Sequence, residues 1–136
     1  MPGASSFTRP RGGIIAYWIT TILVTAELAL GGVLDVLRVP YVRSVIDHLG
    51  YPQYFLVIIG VWKLLGAVAL VAPRFPRLKE WAYAGAVFNY TGAVASHLAL
   101  GDGPLALLYP VIQLGLIGVS WRLRPSARRE LRQTEP

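Results

Sequence analysis

Long apolar runs dominate this chain, and each holds a strongly polar residue near its middle. The runs cover residues 13–34, 54–72, 81–100 and 104–121. Each is close to the roughly 20 residues a helix needs to cross a bilayer core. Glu27, Lys63, Asn89 and Gln113 sit inside them, one per run. Placing Lys or Asp at the centre of an inserted helix costs about 2.5–3.5 kcal/mol, so such residues persist where neighbouring helices shield and pair them. The pattern predicts an all-α polytopic membrane protein: an antiparallel bundle of four transmembrane helices around a buried polar centre.

Composition supports that class. The 136 residues are 54% hydrophobic and 15% charged, with a mean hydropathy of +0.51. A soluble domain of this length carries more charge. With the runs removed, too little chain is left for a second domain. The expected organisation is a mobile N-terminus (1–12), one transmembrane domain (13–121) and a basic tail (122–136). The first run is too long for a signal-peptide core, carries Glu27 and has no small-residue cleavage site after it, so an uncleaved first span is expected.

Cysteine is absent, which excludes disulfides, thiol catalysis, iron–sulfur clusters and thiolate zinc. His48 and His97 without a matched carboxylate cluster do not make a zinc or haem site. The sequence has no GxGxxG, phosphate loop, HExxH or GxSxG. No metal and no covalent cofactor is expected.

The net charge of +6 is unevenly spread. Arg9 and Arg11 precede the first run, and Arg74, Arg77 and Lys79 fill the second link. Arg122, Arg124, Arg128, Arg129 and Arg132 follow the fourth run. The first link, in contrast, sets Arg38 and Arg43 against Asp35 and Asp47, and the third carries only Asp102. The positive-inside rule then places both termini in the cytoplasm of a cell with this chain in its inner (plasma) membrane. A basic tail next to a span is explained by orientation and by anionic lipid, without nucleic acid.

Tyr17, Trp18, Trp81, Tyr83 and Trp121 near one set of run ends, and Tyr51, Tyr54 and Phe55 near the other, make an aromatic belt. Pro73 and Pro76 stop the second run. Gly101, Asp102, Gly103 and Pro104 form a tight turn that makes the last two spans a hairpin. In the first link, Tyr41, Val42, Val45, Ile46 and Leu49 recur at helical spacing between Pro40 and Gly50. This predicts a short amphipathic helix, read as an interfacial connector in preference to a lid over an outward-opening site.

Helix rise places Glu27 roughly 10 Å, Lys63 and Gln113 about 13–14 Å, and Asn89 about 16 Å below the outer ends of their spans. Glu27 shares a face with Thr20, Val24 and Gly31, and Lys63 with Gly60, Gly66 and Ala67. Asn89 shares a face with Gly85, Gly92 and Ser96, and Gln113 with Tyr109 and Ser120. Small residues let helices approach closely in lipid, so the polar residues are expected to face one another. Glu27 and Lys63 are the expected pair. They are either a buried ion pair that fixes register or a functional acid/base or ligand anchor. For Asn89 and Gln113 interhelical hydrogen bonding is the favoured role. Trp62, Tyr90 and Tyr109 are candidate pocket walls. His48, His97 and Asp102 form a candidate outer rim, with plain solvation as the favoured reading for each histidine.

Two stretches carry a resemblance. One holds Gly60, Trp62, Lys63, Gly66 and Pro73; the other runs from Glu80, Trp81 and Gly85 through Gly92, Ser96 and His97 to Gly101 and Asp102. With His48, Leu49, Gly50, Tyr51 and Pro52 before the second span, they resemble the DoxX-like family of small four-helix bacterial membrane proteins, from about Tyr17 to Gln113. The resemblance implies a four-span bundle. Its founding relatives look like a membrane subunit of a quinone-linked thiosulfate oxidoreductase, and others are associated with oxidant defence or membrane-complex assembly. Distant proteins of similar layout include lipid-binding proteins and sterol isomerases. Glu27, Lys63, Asn89, His97 and Asp102 carry over as candidate pocket residues.

Three functional readings follow. The first is binding of a small lipophilic molecule, a quinone or other isoprenoid or sterol-like compound, in a membrane subunit of a redox system. The second is an acid/base enzyme, isomerase-like, with Glu27 and Lys63 as catalytic candidates. The third is a structural or assembly subunit that meets a partner membrane protein or a second copy of itself. All three place the chain in the lipid bilayer.

Overall fold

The computed structural model describes residues 11–72 and 74–124. Most of the expected mobile N-terminus, Pro73, and the tail from residue 125 on, with Arg128, Arg129 and Arg132, lie outside the described residues. The elements are α1 (Arg11–Leu37), α2 (Pro40–Leu49), α3 (Tyr54–Val71), α4 (Pro76–Ala99) and α5 (Pro104–Leu123), with no strand among the described residues.

Proline marks the starts. Pro40, Pro76 and Pro104 open their helices, where a fixed φ is pre-set for the turn and the missing N–H would have no partner. The short connecting helix is where the spacing places it. It stops at Gly50, whose φ of 82° is left-handed and costs glycine nothing. The N–H groups of Gly50 and Tyr51 then reach back to the carbonyls of Asp47 and Ile46.

Two boundaries differ from expectation. The first helix runs on to Leu37, so Asp35 is a buried helical residue and not part of a polar link. The helix expected from residue 81 begins at Pro76, which makes Arg77, Lys79 and Glu80 its first turns. The reason is the same in both: a helix continues until its backbone is blocked, whatever the polarity of its side chains.

α1 packs against α3 and α5, and α4 packs against α5 and α3, while α2 touches α1 and α3 lightly. The α1–α3 crossing depends on Gly32 and Gly60. A Cβ on Gly60 would sit 2.8 Å from the Gly32 carbonyl oxygen, and one on Gly32 would sit 2.9 Å from the Gly60 oxygen. The two backbones are therefore in contact, as small residues permit in lipid. Val24, Leu28, Ala67, Leu70, Tyr83, Ala86, Tyr90 and Ile117 form the core.

The exterior is apolar. Ile15, Ile22, Leu30, Trp62, Val68, Phe88, Leu105 and Ile112 are all exposed. Contiguous apolar surface on this scale belongs against hydrocarbon, not water. α1, α3 and α5 are long and apolar enough to cross a membrane. α4 has the length but is not among the three, because Asn89, Thr91, Ser96 and His97 dilute it. The chain is an all-helical integral membrane protein with three such helices, where the apolar runs predicted four.

Candidate functional site

The polar residues gather at three levels. At mid-length, Glu27 on α1 accepts hydrogen bonds from the hydroxyls of Tyr90 on α4 and Tyr109 on α5. The two rings meet edge to face with centroids 6.3 Å apart. Lys63 on α3 points into the same region, its Nζ 4.0 Å from Glu27 Oε1 and 3.0 Å from Asp35 Oδ2. Gly31 makes room for this: a Cβ there would lie 2.9 Å from Glu27 Oε1 and 3.4 Å from Lys63 Nζ.

The expected Glu27–Lys63 pairing is thus present but is the looser contact. Asp35 is the nearer partner of Lys63, and sequence reading missed it by ending the run at Leu34. A signal was available, because Glu27, Gly31 and Asp35 recur every fourth residue and so share one helix face.

The predicted single layer is only partly assembled. Asn89 makes no side-chain hydrogen bond among the described residues, and the buried Gln113 leaves its Oε1 without a partner. Among the described residues, neither makes the interhelical side-chain hydrogen bond expected of it. The face of Gly85, Asn89, Gly92 and Ser96 on α4 is not the packed one. Gly85 and Gly92 are exposed and a Cβ on either would meet nothing within 4 Å, whereas Tyr83, Ala86 and Tyr90 are buried. Aromatic side chains fill the interior where small residues were expected to close it.

Between α3 and α4 lies a groove of about 470 Å³. Its walls are apolar and aromatic, including Phe55, Trp62, Trp81 and Phe88, and its polar residues are Lys63 and Asn89. Trp62 is one of the groove walls. Tyr90 and Tyr109 are not: their hydroxyls go to Glu27.

At the α2 end, His48 from α2, His97 from α4 and Asp102 from the following turn come together. His48 Nε2 is 3.0 Å from both carboxylate oxygens, and His97 Nδ1 is 2.7 Å from Oδ2. Each histidine, expected as a solvated or interfacial residue, is here also a partner of one shared carboxylate, to which a ring N–H can donate, and His48 remains largely exposed. These two contacts hold the Asp102 carboxyl below its ordinary value of 3.8, His97 contributing most. Tyr51 adds a 2.8 Å hydrogen bond to Ser96.

At the opposite end, Ser120 on α5 lies 2.6 Å from the Thr21 hydroxyl and 2.8 Å from that of Tyr83. Arg124 is buried, reaches Glu80 at 2.6 Å and stands over the Tyr83 ring. Val24 and Ile117, each 1% exposed, are among the core residues and separate Thr21 and Ser120 from the central cluster along α1 and α5.

A sequence profile of the DoxX-like family matches residues 19–120. The chain belongs to the DoxX-like family. The match takes in all of α2, α3 and α4 and most of α1 and α5, so every residue of the central cluster and of the histidine–carboxylate cluster lies within it. No curated protein and no solved structure matches the chain. Among the described residues of this DoxX-like chain no group of His, Cys, Asp and Glu is placed to hold a metal ion.

Proposed function

We propose that this DoxX-like protein is a four-span antiparallel bundle that binds a small lipophilic molecule, a quinone or other isoprenoid or sterol-like compound, between α3 and α4. One observation carries the reading. The groove is apolar along its walls and offers Lys63 and Asn89 as its polar groups. That is the usual build of a ligand site between helices: a hydrophobic trough with a few placed polar atoms. Lys63 would hold the ligand's head, kept in position by Asp35 and Glu27.

α4 serves as the fourth span in this reading. Residues 81–98 contain no Asp, Glu, Lys or Arg, and α4 packs against both α3 and α5. With arginine concentrated at the end shared by the two termini, that end lies in the cytoplasm of the inner membrane. A membrane subunit of a redox system would use the groove for an exchangeable quinone, because the chain supplies no cysteine.

The acid/base reading finds less support. Glu27 is occupied by two tyrosine hydroxyls and does not line the groove. The assembly reading draws support only from the exposed glycines of α4.

The test is mass spectrometry of organic extracts from the chain purified in mild non-ionic detergent. About one neutral isoprenoid-type molecule per chain is expected, with its loss in Lys63→Met. An extract holding only bulk phospholipid, unchanged by Lys63→Met, would refute the reading.

A further inference from the structure

The buried charges between α1 and α3 do not balance. Glu27 and Asp35 bring two carboxylates to the one ammonium of Lys63. We propose that this cluster binds one exchangeable proton, held on the Glu27 carboxyl, and is electrically neutral only with that proton in place.

Asp35 is 6% exposed, and the side chains of Glu27 and Lys63 are 13% and 15% exposed. All three sit on helices long and apolar enough to cross a membrane. An excess charge is costly there, because little water reaches it. Among the described residues, Lys63 is the only basic group ion-paired with either carboxylate. Arg38, just beyond α1, is exposed. The remaining titratable neighbours are phenols. Tyr90 from α4 and Tyr109 from α5 donate to Glu27, and Tyr41 from α2 stands within electrostatic range of Tyr109. Phenol donors ease the cost of a carboxylate but bring no positive charge. With both carboxylates ionised, the cluster keeps a net charge of −1.

The distances select Glu27. Lys63 Nζ lies 3.0 Å from Asp35 and 4.0 Å from Glu27. The two carboxylate oxygens are therefore at most about 7 Å apart, and with energies falling as inverse distance their repulsion cancels more than half of what Glu27 gains from Lys63. Asp35, nearer the ammonium, keeps more of its gain. Uptake of the proton forms one O–H bond on Glu27 and brings the net charge from −1 to zero, with no electron transferred. The new O–H finds an acceptor in either tyrosine, since a hydroxyl accepts as well as donates. Tyr109 offers the way in. It is exposed and, by helix rise, about 7–8 Å from the start of α5 at Pro104. On the other side Val24 and Ile117, each 1% exposed, close the path toward Thr21 and Ser120. The proton is thus exchanged from the α2 end.

The experiment is infrared spectroscopy of the full chain at neutral pH in a maltoside detergent, which has no carbonyl. A protonated carboxylic acid has a carbonyl stretch apart from the carboxylate and amide bands, and that stretch shifts in D2O. The unaltered chain should show such a band, and Glu27→Gln should lose it. Asp35→Asn should lose it too, because one carboxylate then matches one ammonium and Glu27 gives up its proton. A Glu27 protonated merely because it is buried would keep the band in Asp35→Asn. Absence of the band from the unaltered chain, or its survival in either variant, would overturn the inference. Loss of the band on adding sodium chloride would hand the site to a metal cation and overturn it as well. If Glu27→Gln does not fold, the unaltered chain and Asp35→Asn still decide. None of these outcomes depends on what occupies the α3–α4 groove, so failure here leaves the binding reading standing.

Discussion

Lys63 is where the residue-scale account is most exposed to test. Its ammonium is shared unequally, at 3.0 Å from Asp35 and 4.0 Å from Glu27. Lys63→Met should cost about 3–5 kcal/mol, because it strands carboxylates in a poor solvent for charge. The distances order the rescue. Lys63→Met/Asp35→Asn should recover more stability than Lys63→Met/Glu27→Gln, since the nearer partner is the more strongly coupled. Thermal unfolding of the variants in detergent measures both cycles. Equal recovery, or strictly additive losses, would contradict the assignment of Asp35 as principal partner. Glu27 and Lys63 were legible from sequence because charge inside an apolar run is conspicuous. Asp35 was not, because it sits where the run ends and reads as solvated. Tyr90 and Tyr109 drew notice as aromatic walls, and nothing in their spacing announces that both hydroxyls reach one carboxylate.

At the scale of elements, the helix starts and the short connecting helix were legible because proline and glycine act locally, through backbone geometry alone. Which face of a helix packs inward was less so. On α4 a stripe of small residues competed with Tyr83, Ala86 and Tyr90, and the tyrosines took the interior because their hydroxyls find Ser120 and Glu27. α2 shows the opposite case, an element with one buried residue, Ile46, that is held by polar contacts. Its tie to the α4–α5 turn runs through Asp102, whose carboxyl is held below its ordinary value. A depressed carboxyl stabilises the fold fully above its unfolded value and loses that contribution as pH falls through the folded one. Protection of α2 amides from hydrogen exchange should therefore persist through pH 3.8 and fall only in stronger acid. Asp102→Asn should lower that protection at neutral pH and abolish the acid step. Unchanged protection in Asp102→Asn would show that the histidine contacts do not secure α2.

For the molecule as a whole, the apolar exterior and the buried polar cluster make sense together only in a bilayer. The proposed orientation puts α2 outside and the α3–α4 link inside. Cysteine at Ser44 should react with a membrane-impermeant thiol reagent in intact cells, and cysteine at Arg77 should react only after permeabilisation. The reverse pattern would invert the orientation, and labelling of both from outside would remove α3 as a complete span. Three membrane-length apolar helices were plain in the sequence as a rhythm of runs. The groove was not, because its walls come from two helices, α3 and α4, and no local pattern encodes how their side chains meet.

The central claim is that the α3–α4 groove is a ligand site and not a packing gap. Gly85 lines the groove, and a Cβ added there meets nothing within 4 Å, so the side chain of Gly85→Leu would start in open groove space. Native mass spectrometry of the chain released from mild detergent compares it with Gly85→Leu. The unaltered chain should carry a discrete added mass, and Gly85→Leu should fly without it while keeping its thermal stability. An added mass retained equally by both, or absent from both, would contradict the account.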